Sequence, residues 1–241
     1  MTMILMLGSG PDALRARSYP RAPFDQIIAI NNAWRLRPDW DALVYPEDFP
    51  ADRRPATPAP HQRLIEADAF VPAQNAYGGF VYAGGTMAFT ASYWALYDLR
   101  PSVIAYIGCD MVYPSSGNTH FYGTGTADPL RADITLRSLE AKSARLMVLA
   151  AAQGCALVNL SNGPSRLVFP RVAPSDLAGI TALQPASPEL DAALVAEDRL
   201  GYRVPSGRYW EQADQFDPAA LDRIDALWLA AAGGLSAPQR A

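Results

Sequence analysis

The chain has 241 residues, half of them hydrophobic and 18% charged, which suits one α/β domain with a sizeable core and excludes a largely disordered protein. Its formal net charge is −4 and Lys142 is its only lysine, so it lacks the basic footprint of a nucleic-acid binder. No basic leader precedes a long apolar run, no stretch reaches the ~20 apolar residues of a membrane span, and neither Cys109 nor Cys155 sits in a C-x-x-C pattern. These features predict a soluble, cytoplasmic protein whose two thiols are reduced and buried.

"MILML" (Met3–Leu7) reads as a short buried strand, and "GSGPDALRAR" turns from it into a helix with Pro11 where a first turn tolerates proline. "QIIAI" (Gln26–Ile30) is a second buried strand that ends in Asn31 and Asn32, and "DALVY" (41–45) is a third. Continuous apolar runs separated by helical pieces predict a parallel sheet covered on both faces. A proline-rich surface loop follows (50–61), and "DAFVP" (68–72) reads as a weaker fourth strand. "GGTMAFTASYWALYDL" is a well-buried helix entered from a glycine pair, and "SVIAYIGCD" is the clearest strand. Residues 111–129, rich in Gly, Ser, Thr and Tyr, make a connection longer than ordinary ones, and long ordered loops carry function. A long helix closed by Gly154, a last parallel strand "CALVNLS", two amphipathic helices each opening at Ser-Pro or Asp-Pro, and a frayed tail complete the chain.

Gly8-Ser9-Gly10-Pro11-Asp12-Ala13 fits G-x-G-x-x-G/A after a strand. Such glycines let backbone approach a ligand, and a helix N-terminus offers N–H groups to a phosphate. Dinucleotide enzymes place an acid after the second strand to hold ribose hydroxyls. Asn31 and Asn32 stand there instead, and a carboxamide both donates and accepts without repelling phosphate. Gly and Asn also shape turns without any ligand. What favours a site is that Ser9, Asn31 and Gly85 all fall at strand ends or helix starts, which a parallel sheet gathers on one edge.

Asp39-Trp40-Asp41 has the D-x-D form of many metal-dependent glycosyltransferases, but it begins a strand, at the wrong edge for a ligand, and reads as a solvated strand entry. Glu47 and Asp48 sit at the other edge. With only His61 and His120, a histidine-rich metal site is excluded. His120 lies in "SGNTHFYGTG" among Asn118, Thr119, Tyr122 and Thr124, and its near-neutral titration suits proton transfer from a hydroxyl.

"MLGSGPDAL", "IAINNAW", "GGTMAFTASYWAL", "VIAYIGCDMVY", "THFYGTG" and "VNLSNGPSRLVFPR" resemble, in order and spacing, segments of the bacterial sialyltransferases of glycosyltransferase family 42. The wider group includes the 6-hydroxymethylpterin diphosphokinases and uncharacterised bacterial and phage proteins. The resemblance covers residues 3 to about 171. It implies a Rossmann-like α/β nucleotide-binding domain (1–171) with a lid (111–129) after the central strand, followed by a helical C-terminal extension (172–241).

The resemblance also implies a nucleotide site at Gly8, Ser9, Gly10, Asn31, Asn32, Gly84, Gly85, Thr86 and Asp110, with His120, Tyr113 and Tyr122 as candidate catalytic residues. Ser9 replaces the family's Asn between the glycines, Tyr113 matches the family's phosphate-contacting Tyr only with a one-residue shift, and the family's general-base position falls on Thr124. The expected function is glycosyl transfer from a nucleotide sugar of CMP type to a small-molecule or glycan acceptor, with no metal and no cofactor. One alternative is metal-dependent diphosphate transfer from ATP with Glu47, Asp48, Asp110 and Asp128 as ligands. Another is a binding module, for nucleotide or glycan, that has lost the base.

Overall fold

A computed structural model of the chain describes residues 2–114, 116–124 and 133–237. Six parallel strands form one sheet in the order β4-β3-β2-β1-β5-β6: β1 (Met3–Leu7), β2 (Gln26–Ile30), β3 (Ala42–Val44), β4 (Arg63–Ile65), β5 (Val103–Ile107) and β6 (Ala156–Asn159). β1 pairs with β2 in the register Ile4↔Gln26 and with β5 in the register Met3↔Val103. The chain thus builds outward from β1 to β4, then returns to the other side of β1, which makes the β1/β5 boundary the switch point of a Rossmann-like fold.

The five strands expected at 3, 26, 41, 102 and 156 are all present and parallel. Alternate residues of each buried strand feed opposite faces. Ile4, Met6, Ile28 and Ile30 pack under α1 (Ala67–Ala76), α3 (Met87–Trp94) and α4 (Leu139–Ala152). Leu5, Leu7, Ile27 and Ala29 pack against Ala13, Ala16, Ala33 and Leu36 on the other face.

That second face corrects the helix expected after the first glycine turn. Residues Pro11–Ser18 and Asn31–Leu36 are 3₁₀ helices. Their buried residues recur every third position (Ala13 and Ala16; Ala33 and Leu36), a spacing that three residues per turn matches.

"DAFVP" is not a strand. It lies in α1, where Phe70, Ala73 and Gln74 turn inward at helical spacing, and the fourth strand comes from Arg63–Ile65 just before it. Only Ile65 of that edge strand is buried, so it leaves almost no apolar signature. α2 (Phe80–Ala83) leads into α3, which continues through a wider π turn at Ala95–Leu99.

Residues 172–237 contribute α5 (Ser187–Leu200) and α6 (Pro218–Gly233). Ala193, Leu221, Ile224 and Trp228 form a third apolar cluster with Val81, Tyr82 and Val148. The C-terminal helices therefore share a core with α2 and α4. Among the described residues no helix is long and apolar enough to cross a membrane. Both cysteines are buried and unpaired, and burial pushes the Cys155 thiol up to about 12.

Candidate functional site

A cleft of about 560 Å³ opens at the carboxyl edge of the sheet, over the β1/β5 boundary. Its floor is made by the turns after β1 and β5. The Gly8 N–H donates to Ile107 O (2.9 Å) and the Gly10 N–H to Gly108 O (2.8 Å), so these two amides lock the turns together. A Cβ on Gly8 would lie 2.2 Å from Gly108 O, and one on Gly108, whose φ is +70°, would lie 2.6 Å from Ala13 Cβ. The glycine pattern is thus first a packing requirement between two backbones. Gly8→Ala is expected to lower unfolding free energy by about 1–3 kcal/mol, the usual cost of forced overpacking, read as a lower urea midpoint at unchanged m-value.

Gly8, Ser9, Gly10, Asn31, Asn32 and Thr86 all line the cleft. Asp110, Tyr113, His120 and Tyr122 line it too. Gly84 and Gly85 do not. The Gly84 carbonyl accepts from Gln74 Nε2 (2.9 Å), and a Cβ on Gly85 would meet Thr135 Oγ1 at 2.4 Å, so this pair serves the packing of α1 and of the 133–135 turn.

Asn31 holds a left-handed φ of +51°, a conformation that Asn tolerates better than most side chains, and the Oδ1 atoms of Asn31 and Asn32 are buried without hydrogen-bond partners. Met111 is left-handed as well (φ +53°) and also lines the cleft. Strained backbone of this kind gathers at functional sites because the surrounding fold must hold it there. Nothing in the sequence around Met111 signals that conformation.

Thr86 caps α3, its Oγ1 accepting from the Phe89 N–H at 3.4 Å. Met87 and Ala88, in the first turn of α3, line the cleft, and first-turn N–H groups have no partner inside a helix. The cleft therefore receives the positive end of a helix, and its lining also carries Asp12, Asp48, Asp110 and Arg53.

The segment after β5 folds over the glycine turn. The Phe121 N–H donates to Ser9 O (2.9 Å), and His120 and Gly123 exchange two backbone hydrogen bonds in a tight hairpin. His120 is thereby set beside the β1 turn, its ring stacked on Tyr122 (5.0 Å between centroids) and 5.8 Å from Tyr113. Nδ1 lies 2.8 Å from Thr119 Oγ1. Burial pulls the imidazole below its ordinary value, which favours its neutral form. Residues 115 and 125–129 of the expected lid, and Asp128 with them, lie outside the described residues.

The D-x-D pair serves the fold. Arg37 grips Asp39 with two hydrogen bonds (2.8 and 2.7 Å), which holds that carboxyl below its ordinary range. Asp41 accepts from the Ile27 N–H and from Arg21, each at 2.7 Å. Of the carboxylates that diphosphate transfer calls for, Asp48 and Asp110 line the cleft and Glu47 does not. Among the described residues no group of three or more metal-binding side chains converges.

Two features escape sequence reading. Asp12 accepts from the N–H groups of Asn162 (2.5 Å) and Gly163 (3.2 Å), tying the 3₁₀ helix after β1 to the turn after β6. Arg53 reaches the cleft from the proline-rich loop, whose composition suggested only a surface connection. No protein-family model, curated protein or solved structure matches the chain.

Proposed function

We propose that the chain is a nucleotide-dependent transferase that moves a glycosyl group from a nucleotide sugar of CMP type to a hydroxyl of a small molecule or glycan. The observation that supports this reading is the cleft at the switch point of the parallel sheet, lined together by the glycine turn, by His120 on the segment hydrogen-bonded to Ser9, and by the first turn of α3.

In the proposed reaction the acceptor oxygen bonds to the sugar C1 and the bond from C1 to the phosphate oxygen breaks. The electron pair leaves with the nucleotide, and the acceptor proton passes to His120 Nε2. The base role requires the tautomer in which Nδ1–H donates to Thr119 Oγ1, 2.8 Å away, because Nε2 then keeps its lone pair. The first turn of α3 takes the phosphate, and Tyr113 or Tyr122 donates to it as charge develops.

Titration with CMP, UDP, GDP and ATP, each with and without magnesium, tests the reading. Metal-independent binding of CMP in preference to the others is expected; binding of ATP only with magnesium favours diphosphate transfer, and no binding of any nucleotide overturns nucleotide dependence. Asn31→Ala is expected to weaken binding by about 1–3 kcal/mol, the cost of a lost buried hydrogen bond. The fold should survive, because the change removes a buried oxygen that has no partner in the protein.

A further inference from the structure

Asn159 ends β6 and is 1% exposed, and its three side-chain hydrogen bonds go to the loops after β5 and β6 that line the cleft. Nδ2 donates to Asp110 Oδ1 and to Ser165 Oγ, both at 3.1 Å, while Oδ1 accepts from the Ser161 N–H at 2.9 Å. Its backbone is fixed on both sides, in register with Tyr106 of β5 and by two hydrogen bonds with Pro170 and Val172. Such a side chain has one position available to it. Only a carboxamide donates twice and accepts once in this arrangement; an aspartate would lack the donors, and a leucine would take their partner from Asp110 Oδ1 and the Ser161 N–H, while Ser165 Oγ would keep only the Leu167 N–H.

The partner that matters is Asp110. Its main chain is held as well, the carbonyl accepting from the Arg166 N–H at 3.0 Å. The clamp engages Oδ1 of a residue that lines the cleft. A neutral amide as clamp, where Arg or Lys could have stood, leaves the carboxylate charge uncancelled. Such an oxygen accepts from hydroxyl or amino groups and repels phosphate.

We propose that Asn159 is a positioning residue of this site, which aims Asp110 at a hydrogen-bond donor on the nucleoside part of the ligand while the phosphate lies toward α3. This inference rests on the nucleotide reading above.

The test compares CMP titration and thermal unfolding of the whole chain for the wild type, Asn159→Ala, Asp110→Asn, the double variant Asp110→Asn/Asn159→Ala, and the swap Asp110→Asn/Asn159→Asp. Each single variant should bind CMP tenfold or more weakly. The double variant should bind no more weakly than Asp110→Asn alone, because Asn159 acts through Asp110. The swap rebuilds an amide–carboxylate hydrogen bond, so it should unfold closer to the wild-type temperature while CMP binding stays lost. A purely structural Asn159 would instead give additive losses, and its swap would regain binding together with stability. Undiminished CMP affinity in Asn159→Ala, additive losses, or recovered binding in the swap each overturn the positioning role. If Asn159→Ala does not fold, the swap against Asp110→Asn decides alone. A wild type that binds no CMP brings down the nucleotide reading and this role with it, whereas a binding wild type with unaffected variants brings down only the role.

Discussion

Replacing Glu197 by alanine is expected to lower the unfolding free energy by about 3–5 kcal/mol, the range for breaking a buried ion pair from one side. Arg145 of α4 and Glu197 of α5 are 1% and 3% exposed. They meet in a two-point contact, Nε to Oε1 at 2.7 Å and the second guanidinium nitrogen to Oε2 at 2.8 Å. Trp228 Nε1–H of α6 donates to the same Oε1 (2.7 Å), Tyr93 OH accepts from Arg145 (2.8 Å), and the guanidinium lies 5.2 Å from the Trp228 ring centre.

Removing the carboxylate takes its acceptors from a buried guanidinium and from the Trp228 indole N–H. For a chain of this size the melting temperature should fall on the order of 10 °C. Glu197→Gln keeps an acceptor for Trp228 and should fall less. The double variant Arg145→Met/Glu197→Met removes both charges at once and should recover much of the loss. A drop under ~1 kcal/mol in Glu197→Ala, measured by urea unfolding, would mean that water reaches Arg145.

His120→Ala should reduce turnover by ~10²–10⁴, the span that general acid–base catalysis contributes, and leave CMP affinity nearly unchanged. The side chain sits at the edge of the cleft on a hairpin whose backbone is held by Ser9 and Gly123, so its removal disturbs little else. If affinity falls along with turnover, the imidazole is a phosphate partner and the base lies elsewhere. If neither quantity changes, both roles fail and a binding module becomes the better reading.

The pH profile carries an independent check. Burial lowers the folded pKa of His120 from its ordinary value of 6.5, which favours the neutral form that the proposed base requires. Turnover should climb as pH rises through the depressed pKa and then level off. The same shift gives a stability contribution that is present above the unfolded value of about 6.5 and is lost as pH falls through the folded one, because the unfolded chain takes the proton more readily. His120→Ala should flatten both profiles.

The apolar runs at residues 3–7, 26–30 and 103–107 were enough to predict parallel strands, because a strand covered on both faces must be apolar at every position. Order along the chain then placed Gly10, Asn31 and Asp110 on one edge, since every parallel strand ends there. The sequence also separated Asp39 and Asp41 from the site by the same rule. β4 and α1 were misread because Arg63 and Leu64 face solvent and the Phe70–Ala73–Gln74 face covers barely two turns, too little for either period to stand out.

What only the tertiary structure decided lies in pairs far apart in the chain. The glycines at 8 and 10 answer to Gly108, and a sequence pattern records that a Cβ is missing but not which backbone excludes it. Asn159 reads as one more polar residue at a strand end until folding sets it 3.1 Å from Asp110, and Glu197 reads as helix surface until folding brings its carboxylate to Arg145 of α4. Local pattern reports how each residue meets solvent and its own helix or strand. A hydrogen bond across 49 or 52 positions leaves no periodic trace, because its geometry exists only once the sheet order and the helix packing have formed.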